Sequence, residues 1–161
     1  MSKTQLIQVV NQELYVLGKL ISRHPEFPWL FSITDVYKAC EVPLKKEAVK
    51  YGKDPEVTYA SQRPRDWLKR NSKEDTVDAT ASRLRRRINK YGTGCGFGRH
   101  EESKGTAVPL LSNRELCIKL VQGNTKLRGT YVAQDFIVGY AGFLNEKLKA
   151  HVNDTFISVL N

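Results

Sequence analysis

Between Val77 and Tyr91 the chain spaces Ala81, Leu84, Ile88 and Tyr91 three or four residues apart. Arg83, Arg85, Arg86, Arg87 and Lys90 fill the positions between them. At 3.6 residues per turn this spacing gathers the apolar side chains into one stripe, so the segment is expected to be a helix. Such a helix can be buried in only one way, stripe down on a core and arginines toward water. Arg85-Arg86-Arg87 cover most of a turn, so all three cannot face the same groove of a partner. The rest of the chain must supply the core, and 161 residues suit a single one.

The charge follows the same division. The formal net charge is +9, and residues 63–104 carry 12 basic against 6 acidic side chains. Residues 1–62 are close to balanced with 8 against 7, and residues 128–161 are neutral. Clustered cations of this kind attract polyanions, nucleic acid above all; the alternative is a solvated face that only aids solubility. A composition of 40% hydrophobic and 27% charged residues is that of a globular protein, not a disordered one. No apolar run approaches the roughly 20 residues of a membrane span, and the first residues lack the pattern of a secretory signal. Three widely spaced cysteines, Cys40, Cys95 and Cys117, read as reduced thiols. These features predict a cytoplasmic protein with no membrane partner.

Around the arginine helix the elements fall into short pieces. Leu6–Val10 and Leu14–Leu17 favour a hairpin over a helix, with Asn11-Gln12-Glu13 as the break. The two prolines of His24-Pro25-Glu26-Phe27-Pro28 make a loop. Ser32 and Asp35 read as the cap and first turn of a helix that stops before Pro43. A short helix at 44–51 is followed by loop to residue 62. Pro64 opens a helix through Arg70 with Trp67 and Leu68 inward. Residues 115–133 read as a second hairpin with its turn at Gln122-Gly123-Asn124-Thr125, followed by a helix over 134–144. A closing helix is expected from Asn145, where Leu148, Val152, Phe156 and Val159 step by four, four and three.

Chemistry beyond binding is poorly represented. Gly92, Gly94, Gly96 and Gly98 alternate, but neither the dinucleotide fingerprint nor the P-loop has that spacing, and both follow a strand. A mobile loop carrying Arg99 is the better reading. Cys95 and His100, with Cys117 or His151, form one loose set without the second ligand pair of a zinc site. No nucleophile signature surrounds a serine or cysteine, and a metal-dependent nuclease would need clustered carboxylates that the basic block lacks. The expectation is therefore no catalytic residue, no metal and no cofactor. The binding candidates are Arg63, Arg65, Lys69 and Arg70 as one strip, and Arg83, Arg85, Arg86, Arg87, Lys90 and Arg99 as the other. Arginine grips phosphate or guanine bidentately, and a helix fits the major groove.

Three segments together resemble the KilA-N domain, a DNA-binding module of bacteriophages and large DNA viruses related to the fungal APSES domain. They are Ser32-Ile33-Thr34-Asp35-Val36-Tyr37-Lys38-Ala39, Arg65-Asp66-Trp67-Leu68, and Arg128-Gly129-Thr130-Tyr131-Val132-Ala133 leading into Phe136–Ala141, with Val152–Phe156 as the closing helix. Ala133-Gln134 replaces the His-Pro that often follows the Gly-Thr strand. The resemblance implies an α+β fold of short β-hairpins packed with helices and a winged helix-turn-helix-like element. On this reading residues 1–161 are one domain with a basic, Gly-rich insertion at about 71–110. It also implies a non-enzymatic partner of double-stranded DNA in phage gene control or host takeover, in the bacterial cytoplasm. An antirepressor-like module that binds an acidic host protein, or another host or phage protein, is the second reading; a nuclease is the third.

Overall fold

The computed structural model describes residues 5–95, 110–148, 151–152 and 157–160. The fold is α+β. Strands β1 (Ile7–Val10) and β2 (Glu13–Val16) form the expected hairpin, in register Ile7 to Val16 and Val10 to Glu13. Its turn is Asn11-Gln12, both at positive φ (51° and 69°), the conformation that matches the twist of a two-residue hairpin. β3 (Lys19–Leu20) extends the sheet beside β2. On the other side β7 (Ile157–Leu160) pairs parallel with β1, Ile7 opposite Ile157, giving the order β3-β2-β1-β7. The helix expected through Val159 is thus a strand over its last residues. The three- and four-residue spacing fits a helix locally, but β-branched Ile157 and Val159 serve equally well on a sheet edge that β1 leaves open. Residues 153–156 of that expected helix lie outside the described residues.

A second sheet joins β4 (Leu30–Ser32), β5 (Ile118–Val121) and β6 (Gly129–Ala133) in the order β4-β6-β5, all antiparallel. Helix α1 (Ile33–Ala39) follows β4 directly, because Ser32 Oγ accepts the Asp35 N–H at 3.0 Å as its cap. Helix α2 (Glu41–Lys50) begins earlier than expected and contains Pro43 at its third position, where the missing N–H has no partner within the helix to lose. The expected loop beyond it holds a further helix, α3 (Pro55–Ala60). Asp54 caps it through Oδ1 to the N–H groups of Glu56 and Val57, and Pro55 stands in the first position. Helix α6 (Asn113–Cys117) takes the residues expected to start the second hairpin. Ser112 and Glu115 form a reciprocal capping box there, so the strand starts only at Ile118. Helix α7 (Gln134–Lys147) buries Phe136, Ile137, Tyr140, Ala141 and Leu144.

One hydrophobic cluster runs from Leu6 to Val152 and includes Trp29, Phe31, Trp67, Leu84, Tyr131 and Tyr140. Its buried polar atoms are mostly paired: Trp29 Nε1 donates to Leu116 O at 2.7 Å and Tyr140 Oη to Gln62 O at 2.5 Å. Among the described residues no helix is long and apolar enough to cross a membrane.

Candidate nucleic-acid interface

Helix α4 (Pro64–Asn71) and helix α5 (Glu74–Tyr91) are joined by only Ser72 and Lys73. Pro64, Trp67 and Leu68 fasten α4 to the core, and Val77, Thr80, Ala81, Leu84 and Ile88 fasten α5. The short connection is pinned. Ser72 Oγ donates to Leu68 O at 2.6 Å, and Arg114 Nη2 from α6 donates to Ser72 O at 2.7 Å. Together with Arg63 and Lys73, two helices in fixed succession therefore carry 10 basic against 4 acidic side chains over residues 63–91. Arg63, Arg65, Lys69 and Arg70 are all exposed along α4, with Arg65 and Lys69 one turn apart on one face.

The α5 cations divide by their angle around the helix. Arg85 lies on one flank of the buried stripe, where Nη2 donates to Leu111 O at 3.1 Å and Asn113 Oδ1 at 3.0 Å. Asn113 in turn donates to Asp78 Oδ1 at 2.9 Å, so one asparagine ties two α5 side chains to the start of α6. Arg87 lies on the other flank and is only 22% exposed; Nη2 sits 3.0 Å from Asp135 Oδ1, an ion pair without hydrogen-bond alignment. Arg83 Nε donates to Asp135 Oδ2 at 2.8 Å while its side chain stays 48% exposed. Asp135 stands in the first turn of α7, where a carboxylate also suits the helix dipole. Arg86 and Lys90 are exposed and point away from the stripe, and among the described residues Arg86 has no ion pair. With Arg83 they occupy positions i, i+3 and i+7, one outward face. Replacing all four arginines would thus strip structural links as well as surface charge, contrary to the expectation that the arginines only face water.

The glycine loop is less free at its start than expected. Gly92, Thr93, Gly94 and Cys95 are buried. Arg23 fixes them by donating to Gly94 O at 2.9 Å, Pro28 O at 2.7 Å and Gln12 O at 2.9 Å. Burial holds its guanidinium below the usual value, partly opposed by Glu13. The continuation of the loop, with Gly96, Gly98, Arg99 and His100, lies outside the described residues.

On and beside the β5–β6 hairpin stand three exposed cations that were not among the binding candidates: Lys119, Lys126 and Arg128. The signal was present in the sequence, since residues 118–133 contain no acid at all. No group of three metal-ligating side chains comes together among the described residues. The three thiols are buried, and burial pushes Cys117 up to about 11 and Cys40 up to about 12, unsuited to a thiolate ligand or nucleophile.

The family model of the KilA-N domain matches residues 56–161, two thirds of the chain. The chain belongs to the KilA-N domain family. Within the KilA-N match lie α4, α5, the β5–β6 hairpin and α7; the Ser32–Ala39 resemblance lies before it. KilA-N domains are DNA-binding modules, so the basic elements fall in the part of the chain that carries the family's function. No curated protein and no solved structure matches this KilA-N chain.

Proposed function

We propose that this KilA-N protein is a non-enzymatic, phage-type DNA-binding protein that binds duplex DNA through α4 and α5. It acts in the bacterial host cytoplasm as a transcriptional regulator or as a blocker of host machinery. Residues 1–161 act as one domain with a winged helix-turn-helix-like element, in which the basic stretch of about 71–110 is an insertion. The observation that carries the reading is the sorting of charge around α5. Arg85 and Arg87 are largely covered by internal partners, whereas Arg86, Lys90 and the half-exposed Arg83, itself paired with Asp135, make one outward face, and Arg65 and Lys69 are exposed on the preceding helix. Cations on one helical face are what a phosphate backbone requires.

Fluorescence anisotropy of a labelled duplex at several salt concentrations tests it. Each phosphate contact adds about 0.9 to the slope of log K against log salt, so Arg86→Ala and Lys90→Ala each lower that slope by about one. Arg85→Ala keeps the slope and lowers the melting temperature instead. Salt-independent binding, or none, refutes the reading. Incubation of the complex with magnesium or manganese is expected to leave the DNA uncut.

A second reading has its own observation. Val42 and Val49 project from one side of α2, with Tyr51 and Val57 nearby, all well exposed and accompanied by Lys46 and Lys50. Apolar side chains in that setting suit an acidic protein partner of host or phage origin better than a phosphate backbone. A partner retained from nuclease-treated lysate by the native chain, and lost with Val49→Asp, would favour it.

A further inference from the structure

The β5–β6 hairpin carries more than cations. Its strands are in register from Ile118 opposite Val132 to Val121 opposite Gly129, and residues 122–128 beyond them are all exposed. Leu120 is 57% exposed and Leu127 41%. One exposed leucine is ordinary on any protein surface. Two on one projecting hairpin, with Lys119, Lys126 and Arg128 beside them and no acid over residues 118–133, form a distinct surface. Leu127 stands directly between Lys126 and Arg128.

The hairpin is held firmly enough to act as a tool. Tyr131, buried in the core, donates its hydroxyl to Leu127 O at 2.8 Å, so the leucine's own backbone is tied to the interior. The Arg128 N–H donates to Thr125 O at 3.1 Å, closing the turn. The Thr130 N–H donates to Thr34 Oγ1 at 3.0 Å, which fixes the turn end of the ladder to α1. A side chain offered on a pre-ordered backbone loses little freedom when it is inserted into a partner.

We infer that Leu127, seconded by Leu120, is an apolar wedge that enters a base step of bound duplex DNA from the minor groove and bends it. The inference rests on the DNA-binding reading above. Lys126 and Arg128 hold the phosphates on either side of the opened step, and the unstacking is offset by burying the leucine and by the extra backbone contacts that a bend brings within reach. The charge favours DNA over an acidic protein, because the cations bracket the leucine in sequence as phosphates bracket a base step.

The test is energy transfer between dyes at the two ends of a duplex of about 30 base pairs, run beside anisotropy on the same samples. The native chain is expected to shorten the end-to-end distance by a bend within about 20–90°. Leu120→Ala/Leu127→Ala binds within about tenfold of native and leaves the duplex straight. A duplex carrying a central mismatch, already easy to unstack, restores most of the lost affinity. Lys126→Ala/Arg128→Ala lowers the salt slope by about two. Because these side chains face water, far-ultraviolet circular dichroism and melting temperature are expected to match native for each variant. A complex with no bend, or an equal bend with both leucines removed, overturns the wedge while leaving the DNA-binding reading intact. Absence of any complex overturns both.

Discussion

Gly129 is where a single methyl group should do most damage. Its φ is +146°, a region that side chains rarely adopt, and a Cβ there would lie 3.1 Å from Thr34 Oγ1 and 3.2 Å from Thr34 Cβ. The backbone contribution is about 1–3 kcal/mol. Crowding against Thr34, which is held by its hydrogen bond to the Thr130 N–H, adds about 1–3 kcal/mol. Stiffening of the unfolded chain by alanine returns about 0.4–1 kcal/mol. Gly129→Ala is thus expected to destabilise the fold by about 2–4 kcal/mol, read as a lower urea midpoint at unchanged slope. Thr34→Ala alone deprives the Thr130 N–H of its acceptor, at about 1 kcal/mol. The double variant should lose less than the sum of the two by about 0.5–1 kcal/mol, since the Oγ1 contact is then gone. A Gly129→Ala protein within about 0.5 kcal/mol of native would refute the account of how the hairpin is seated.

Other consequences are as direct. Ser32→Ala removes the cap of α1 and should lower stability by about 1 kcal/mol in the same urea assay. Arg87→Ala breaks the pair with Asp135 at a largely covered site and should lower stability by about 1 kcal/mol, whereas Arg86→Ala leaves the urea midpoint within error. His24 is buried against Phe27 and Tyr131, with its Nδ1 accepting the Glu26 and Phe27 N–H groups at 3.1 and 3.2 Å. Burial lowers its pKa from the usual 6.5, with Glu26 opposing and Lys119 assisting. The folded form therefore binds fewer protons than the unfolded one. His24's contribution is complete above about pH 6.5 and is lost as the pH falls through the lower folded value. Urea midpoints between pH 7 and 5 should fall more for native protein than for His24→Asn, whose amide oxygen can accept the same N–H groups.

What the sequence made legible was local. The stripe of Ala81, Leu84 and Ile88 placed α5, Pro64 placed the start of α4, and the alternation around Gln122–Thr125 placed the β5–β6 hairpin, because each is set by neighbours a few residues away. Helix α3 was legible as well, in the Asp54-Pro55 pair, but a lysine-rich stretch with Gly52 and Pro55 reads first as loop. Strand β7 was not, since Ile157–Leu160 become a strand only by finding β1. The same limit applied to the arginines. Helical angles put Arg85 and Arg87 on the flanks of the stripe, but only the fold brings Asp135 to one flank and Asn113 to the other. Side-chain chemistry marked the basic surface; long-range packing decided which of its members remain available.

The parallel pairing of β1 with β7 also sets a schedule for synthesis. Ile7 is made well before its partner Ile157, which emerges only after both hairpins and all seven helices of the described chain have been translated. During that interval β1 shows a row of unsatisfied N–H and C=O groups, a template for pairing with any passing extended segment. Closing so long a loop is slow, and nascent chains crowded on one message would be most exposed to mispairing at that edge. The folding hazard of this protein therefore sits in its neutral first sheet, outside the basic elements proposed to hold DNA.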